Sequence, residues 1–327
     1  SFAKFRLEGR DAMAVLNRVC ANDVDVAPGK LVYTQWLNEK GGIEADLTVT
    51  RLSETAYLIV TGAETEIKDF NWLKRHTSDD AHAVLTNVSS GMGVISIMGP
   101  NSRELLQSIC PNDLSHEAFP FATSQEIELG YAVVRASRIT YVGELGWELY
   151  IPTEFMTGVY DEIVAAGAAF GLKHCGYHAL NALRMEKAYR HWGHDITDED
   201  TPLEAGLGFA VKMDKVGGFI GRDALVAQKE SGLKQRLVQF LLKSPEPMLY
   251  HNEPIWQGDR IAGYIRSGMY AHTLGGACGL GYVDAADGGM VGSIGADDYE
   301  IEIAGIRYPV TASLKPLYDP SNARIKI

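Results

Sequence analysis

At 327 residues the chain exceeds what one hydrophobic core comfortably serves, so two or three folding units are expected. Its 46% hydrophobic and 22% charged residues are globular proportions, and no apolar run is long enough to span a bilayer. A formal net charge of −12 argues against nucleic acid and membrane as partners, although a few arginines could still serve a buried anionic ligand.

Ser1 is followed almost at once by a strand, Phe2–Leu7, as expected of a piece of a longer polypeptide. Asp11 is placed to cap a helix reaching Cys20. Val32–Leu37 and Leu47–Leu52 read as strands around the Glu39-Lys40-Gly41-Gly42 turn, and Ala56–Thr61 as another. Glu64–His76 is an amphipathic helix by the spacing of Ile67, Phe70 and Leu73. Val84–Val88 and Met92–Met98 are strands, and Pro100 sits at the start of a third helix. Tyr131–Thr140 and Trp147–Ile151 form strands joined by a Gly143–Gly146 turn, and Glu154–Phe170 and Tyr177–Tyr189 are helices. After about Gln235 short strands alternate with Gly-rich turns, which predicts a small all-β barrel or sandwich.

The order repeats. Gly9-Arg10-Asp11-Ala12 through Cys20-Ala21-Asn22-Asp23 is matched by Gly99-Pro100-Asn101-Ser102 through Cys110-Pro111-Asn112-Asp113. Each copy gives a strand, a helix, antiparallel strands and a further helix. The fold class is therefore α+β: residues 1–230 as two interleaved, pseudo-repeated lobes, a linker near Glu230–Lys234, and residues 235–327 as the barrel domain. The four cysteines form no CxxC pair and read as buried small hydrophobes in a reducing compartment. His174 and His178 have no carboxylate to complete a metal motif, so no metal is assigned. No GxGxxG follows the first strand, and Gly275–Gly281, lacking a following helix, reads as bulges and tight turns.

Two acids stand out because each interrupts an apolar strand. Asp46 and Glu148 each lie five residues after a glycine, at matching positions of the two copies as the sequence reads. Burying a bare carboxylate is costly, so each must be paired, satisfied or functional. Desolvation would make Asp46 a base; the alternative is an exposed acid on an edge strand. Strand alternation puts Glu148 with Tyr150, opposite Trp147 and Leu149, where it could accept paired N–H donors or else pair with Arg135 or Arg138. Tyr141 lies across the turn from Glu148, within reach of the same cavity or in the core. Arg184 could hold a ligand carboxylate or pair with an acid on a helix surface. The acid run Asp195–Asp200 reads as a solvated loop.

Gly-Gly-Ile-Glu-Ala-Asp46-Leu-Thr-Val-Thr together with Tyr141-Val-Gly-Glu-Leu-Gly-Trp-Glu148-Leu-Tyr resembles the tetrahydrofolate-binding aminomethyltransferase family, which includes the glycine cleavage T-protein and the C-terminal halves of dimethylglycine and sarcosine dehydrogenases. Leu183–Gly193, Thr201–Leu207, Phe219–Leu225 and Leu280–Val283 extend the resemblance over essentially the whole chain, closer to the dehydrogenase branch. It implies a three-lobed ring around tetrahydrofolate, with Asp46 beside the reactive nitrogens and Glu148 on the pterin edge. By the same carry-over Tyr141 and Thr48 line the pocket, and Arg184 and Thr61 are further cofactor-binding positions, although an asparagine expected near Thr61 or Gly62 is absent. FAD is implied only in an upstream dehydrogenase domain, in cis or trans, and the partner substrate is a methylated amine or its iminium. The compartment would be the bacterial cytoplasm or the mitochondrial matrix. A free-standing aminomethyltransferase and a non-catalytic folate-binding domain are the competing readings.

Overall fold

A computed structural model describes residues 2–285, 290–292, 294–296 and 298–327. The first lobe is built by β1 (Phe2–Glu8), α1 (Ala12–Val19), β2 (Leu31–Leu37), β3 (Ile43–Ser53), β4 (Ala56–Gly62), α2 (Glu66–Arg75) and β5 (Val84–Asn87). Its sheet runs in the order β2-β3-β4-β1-β5. Alternation makes one face apolar: Phe5, Leu7, Leu47, Val49, Tyr57 and Ile59 close over Leu16 and Val19 of α1 and Leu73 of α2. Each such side chain contributes about 1.5–3 kcal/mol by leaving water.

The second lobe repeats the plan with β6 (Met92–Met98), α3 (Ser102–Ile109), β7 (Ser124–Leu129), β8 (Ala132–Ser137), β9 (Gly146–Pro152) and α4 (Met156–Gly167). Its sheet order is β6-β9-β8-β7. β9 therefore plays the part of β4, and β8 that of β3. This corrects the equivalence of the two acids. Glu148 pairs with Ser96 of β6, as Leu58 of β4 pairs with Arg6 of β1. Arg6 and Ser96 each stand three residues before their loop glycine, Gly9 or Gly99. The counterpart of Glu148 is Leu58, and Asp46 lies one strand further over. The shared glycine spacing arose from two different turns.

The lobes meet through their outer faces. Leu58 and Val60 of β4 pack on Tyr150 of β9, with Met92 and Val94 of β6 and Phe2 at the edge. At the far side the segments entering β2 and β7 bridge each other: Leu31 N–H donates to the Ala122 carbonyl (3.0 Å) and Ser124 N–H to the Gly29 carbonyl (2.8 Å). This reciprocal pair is what a local twofold relation requires.

After α5 (Tyr177–Glu186) the chain returns to the first lobe, where Ile196, Ala205, Leu207 and Phe219 pack with Leu37, Ile43 and Leu225 of α6 (Arg222–Ser231). The acid run is not a solvated loop. Asp195 and Asp200 are buried, Asp195 against Arg184 and Asp200 accepting from Thr197 N–H and Oγ1; only Asp198 and Glu199 face water.

The remaining strands, β10 (Gln235–Leu242), β11 (Pro254–Gln257), β12 (Arg260–Ala271), β13 (Gly276–Asp284), β14 (Glu300–Ile303) and β15 (Ile306–Ser313), close into a barrel ordered β10-β13-β12-β11-β14-β15. The Gly-rich run expected to form bulges and turns is mostly β13, a central barrel strand. A Cβ at Gly281 would stand 2.7 Å from the Tyr264 carbonyl oxygen of β12, so glycine serves close strand packing there; the bulge itself is in β12, at Ile265–Ser267. α5 fastens the barrel to the lobes through Met185, Leu237, Cys278 and Leu280, and Gln239 donates to the Met185 carbonyl. Cys20, Cys110 and Cys278 are buried, Cys175 is exposed, and among the described residues no helix is long and apolar enough to cross a membrane.

Candidate active site

Asp46 stands on β3, with β2 and β4 on either side, so it is not on a sheet edge. Ala45, Leu47 and Val49 point into the first core, which turns Asp46, Thr48 and Thr50 to the opposite face. The β2–β3 hairpin carries a bulge at Trp36–Leu37 and so aligns Gln35 with Asp46. Gln35 Nε2 donates to Asp46 Oδ1 at 2.8 Å, and the Tyr33 hydroxyl donates as well. Burial lifts the carboxyl to a pKa of about 6, while those two donors and the Arg190 guanidinium pull it back down. Such a group is mostly ionised at neutral pH yet basic enough to accept a proton. Gln35 Oε1 is buried and accepts no hydrogen bond among the described residues. The Tyr33 ring stacks on Phe209 (centroids 6.1 Å apart), which is 76% exposed.

Glu148 is buried on β9 on the face opposite Trp147 and Leu149. It pairs with neither Arg135, which is taken by Glu126, nor Arg138, which donates to the Phe119 carbonyl. Tyr150 Oη donates to Glu148 Oε2 at 2.6 Å, and among the described residues Oε1 receives nothing. Burial raises its pKa and the tyrosine donor opposes the rise. Tyr150 also packs on Leu58 and Val60, so the Glu148 face and the Asp46 face are turned toward the same seam between the lobes.

The other four expected site residues divide. Thr48 shares the Asp46 face and pairs with Val60 across β4. Tyr141 donates to the Arg190 carbonyl (2.8 Å) and stacks on Tyr189 (6.1 Å), and the Asp46 charge reaches it. Thr61 follows Tyr57 and Ile59 onto the other face of β4, where its hydroxyl donates to Asp69 (2.6 Å), so it is not brought to Asp46. Arg184 is not free for a ligand carboxylate. Its guanidinium is buried against Asp195 and also donates to Asn181 and the Tyr189 carbonyl.

Three site residues went unread in the sequence: Tyr33, Gln35 and Arg190. The first two carried a signal, since counting back through the Asn38–Gly42 turn sets Gln35 across from Asp46. Arg190 lies on a loop, where no periodicity fixes direction.

Two repeated α+β lobes and a closed barrel, with strand-borne carboxylates turned to the inter-lobe seam, define an aminomethyltransferase-type protein. The family model of the GCVT N-terminal domain matches residues 1–215, and that of the glycine cleavage T-protein C-terminal barrel domain matches residues 235–319; the chain belongs to this family. It is 40% identical to 4-methylaminobutanoate oxidase (formaldehyde-forming) of Paenarthrobacter nicotinovorans, over 99% of this chain and 39% of that protein. It is 38% identical to human mitochondrial sarcosine dehydrogenase, over 99% of this chain and 37% of that one. An aminomethyltransferase of Caldanaerobacter subterraneus subsp. tengcongensis is 34% identical over 85% of this chain and 74% of its own length. In fold the chain matches the glycine cleavage system aminomethyltransferase T of Bartonella henselae, with a TM-score of 0.83, 21% identity and coverage of 95% of this chain and 82% of that one. The chain spans less than two fifths of the oxidase and dehydrogenase relatives.

Proposed function

We propose that this chain transfers a one-carbon unit to tetrahydrofolate, as the folate-binding portion of an enzyme that demethylates an N-methyl amine of the dimethylglycine or sarcosine type. The observation that carries the reading is Asp46, a carboxylate tuned to about 6 on the seam face of β3. The likeness to demethylating relatives supports the substrate class, and their greater length leaves room for an FAD-bearing oxidising segment.

The residues suit a tetrahydropterin, whose ring edge is rich in N–H donors. Glu148 Oε1, Gln35 Oε1 and Asp46 are acceptors without a full set of donors. When bound, tetrahydrofolate would supply two nucleophilic nitrogens: an iminium carbon would join both as the C–N bond to the amine breaks, one of the two N–H protons lost going to the departing amine nitrogen and the other needing an acceptor in the site. Glu148 grips the pterin edge, held in its rotamer by Tyr150. Asp46 accepts the nitrogen proton, and the Arg190 charge keeps it ionised until then. Thr48 and Tyr141 line the pocket. Holding nucleophile and electrophile together is most of the rate advantage.

The free-standing aminomethyltransferase reading is favoured by one observation, the 34% identity to a relative of which the chain covers 74%. Amine oxidation in the polypeptide that carries this chain distinguishes the two. With Asp46→Asn, 5,10-methylene-tetrahydrofolate formed per amine oxidised falls about 100-fold or more while formaldehyde release rises. Undiminished capture by that variant removes Asp46 from the chemistry.

A further inference from the structure

The loop that follows α5 is held in an unusual way. Arg184 Nη1 donates to the Tyr189 carbonyl (3.0 Å) and meets Asp195, whose Oδ2 accepts the His191 N–H (2.9 Å). The peptide groups before and after Arg190 are thus both anchored by one ion pair, itself 2% and 0% exposed at its two side chains. Asn181 Oδ1 fixes the Arg184 Nε at 2.6 Å.

Residue 190 in turn serves the site twice. Its carbonyl accepts the Tyr141 hydroxyl. Its guanidinium donates only to the Ala188 and Ala205 carbonyls, so no carboxylate among the described residues pairs with its charge. That charge is felt, in falling order, by Tyr33, Asp195, Tyr282 and Asp46. A buried ion pair is a poor source of net stability, so its placement asks for another explanation. We propose that Arg184 and Asp195 are positioning residues, which clamp residue 190 so that its guanidinium and its carbonyl set Asp46 and Tyr141 in their working places. This rests on the reading of Asp46 as the base.

The charged and titratable groups facing Asp46 are Tyr33, Tyr141 and Arg190. Releasing the loop moves the only cation among them away, so the acid limb of one-carbon capture, set near 6 by Asp46, must move upward. The test is Arg184→Met with Asp195→Leu, which removes both charges of the pair together and leaves neither of them without the other. In the full polypeptide, tetrahydrofolate affinity by titration stays within about threefold, capture per amine oxidised falls about tenfold or more, and the acid limb rises by about half a pH unit. A folded double variant with unchanged capture and an unchanged limb overturns the proposal. Asn181→Ala loosens only the Nε anchor and gives a smaller shift in the same direction; if the double variant does not fold and this one leaves the limb in place, the proposal also fails. An Asp46→Asn control that captures normally points instead to failure of the base assignment.

Discussion

Asp46 sits under opposing demands. Burial raises its proton affinity and makes it costly to ionise. Its carboxyl titrates near 6 when folded against an ordinary value near 3.8, so the folded state binds the extra proton between those pH values. Stability contributed by the protonated acid is therefore lost as pH rises through that window, and above it the ionised group costs about 2–3 kcal/mol. Asp46→Asn should raise the unfolding midpoint at pH 7.5 and leave it unmoved at pH 3.5, by denaturant melts at both. Tyr33→Phe removes a donor to the charged form and should push the acid limb of capture upward. Asp46 and Glu148 were legible because a carboxylate amid apolar alternation is a sequence signal in itself. The pairing of Arg184 was not: its partner lies eleven positions on, beyond the helix end, and the burial that turns Asp195 inward is a tertiary event.

At the scale of elements, the β2–β3 turn shows why local chemistry was readable and its purpose was not. Gly41 takes a left-handed φ of +85°, which a turn demands. Gly42 does something a hairpin does not ask for: a Cβ there would stand 1.8 Å from the Asp198 carbonyl oxygen of the returning loop. Ile43 N–H also donates to the Asp200 carbonyl (3.0 Å), and Trp192 Nε1 to the Ile43 carbonyl (2.7 Å). The glycine pair thus seats the loop of residues 190–200 against the start of the strand that carries Asp46. Gly42→Ala should cost about 1–3 kcal/mol in urea unfolding and reduce capture by displacing that loop, whereas a change at the exposed Glu39 should do neither. Most strands and helices followed from alternation and periodicity in the order read, although β7 was not read. β13 escaped because its glycines, chosen for close packing between barrel strands, mimic turn composition.

For the whole molecule, the strand correspondence changes what the repeat means. Had Asp46 and Glu148 been true counterparts, a twofold scaffold would have offered two like sites. Because Glu148 answers to Leu58, the second lobe spends on an acid the position that the first lobe spends on the seam. The asymmetry between the two outer faces is therefore built into the sheets, and the Leu58–Val60–Tyr150 contact lies between the strands next to or bearing the two acids. A ligand bridging them should tie the lobes together. Tetrahydrofolate at 100 times its Kd should stabilise the chain by about 2.7 kcal/mol. Asp46→Asn should keep most of that gain, and Glu148→Gln should lose most of it, weakening binding about 10–100-fold through one charge-assisted bond. Leu58→Ala touches neither acid. It should cost about 2–5 kcal/mol through its cavity and, if the seam holds the spacing, also cut the ligand-induced shift in thermal melts. A Leu58→Ala protein that is less stable but gains the full shift would show that each lobe holds its acid in place alone.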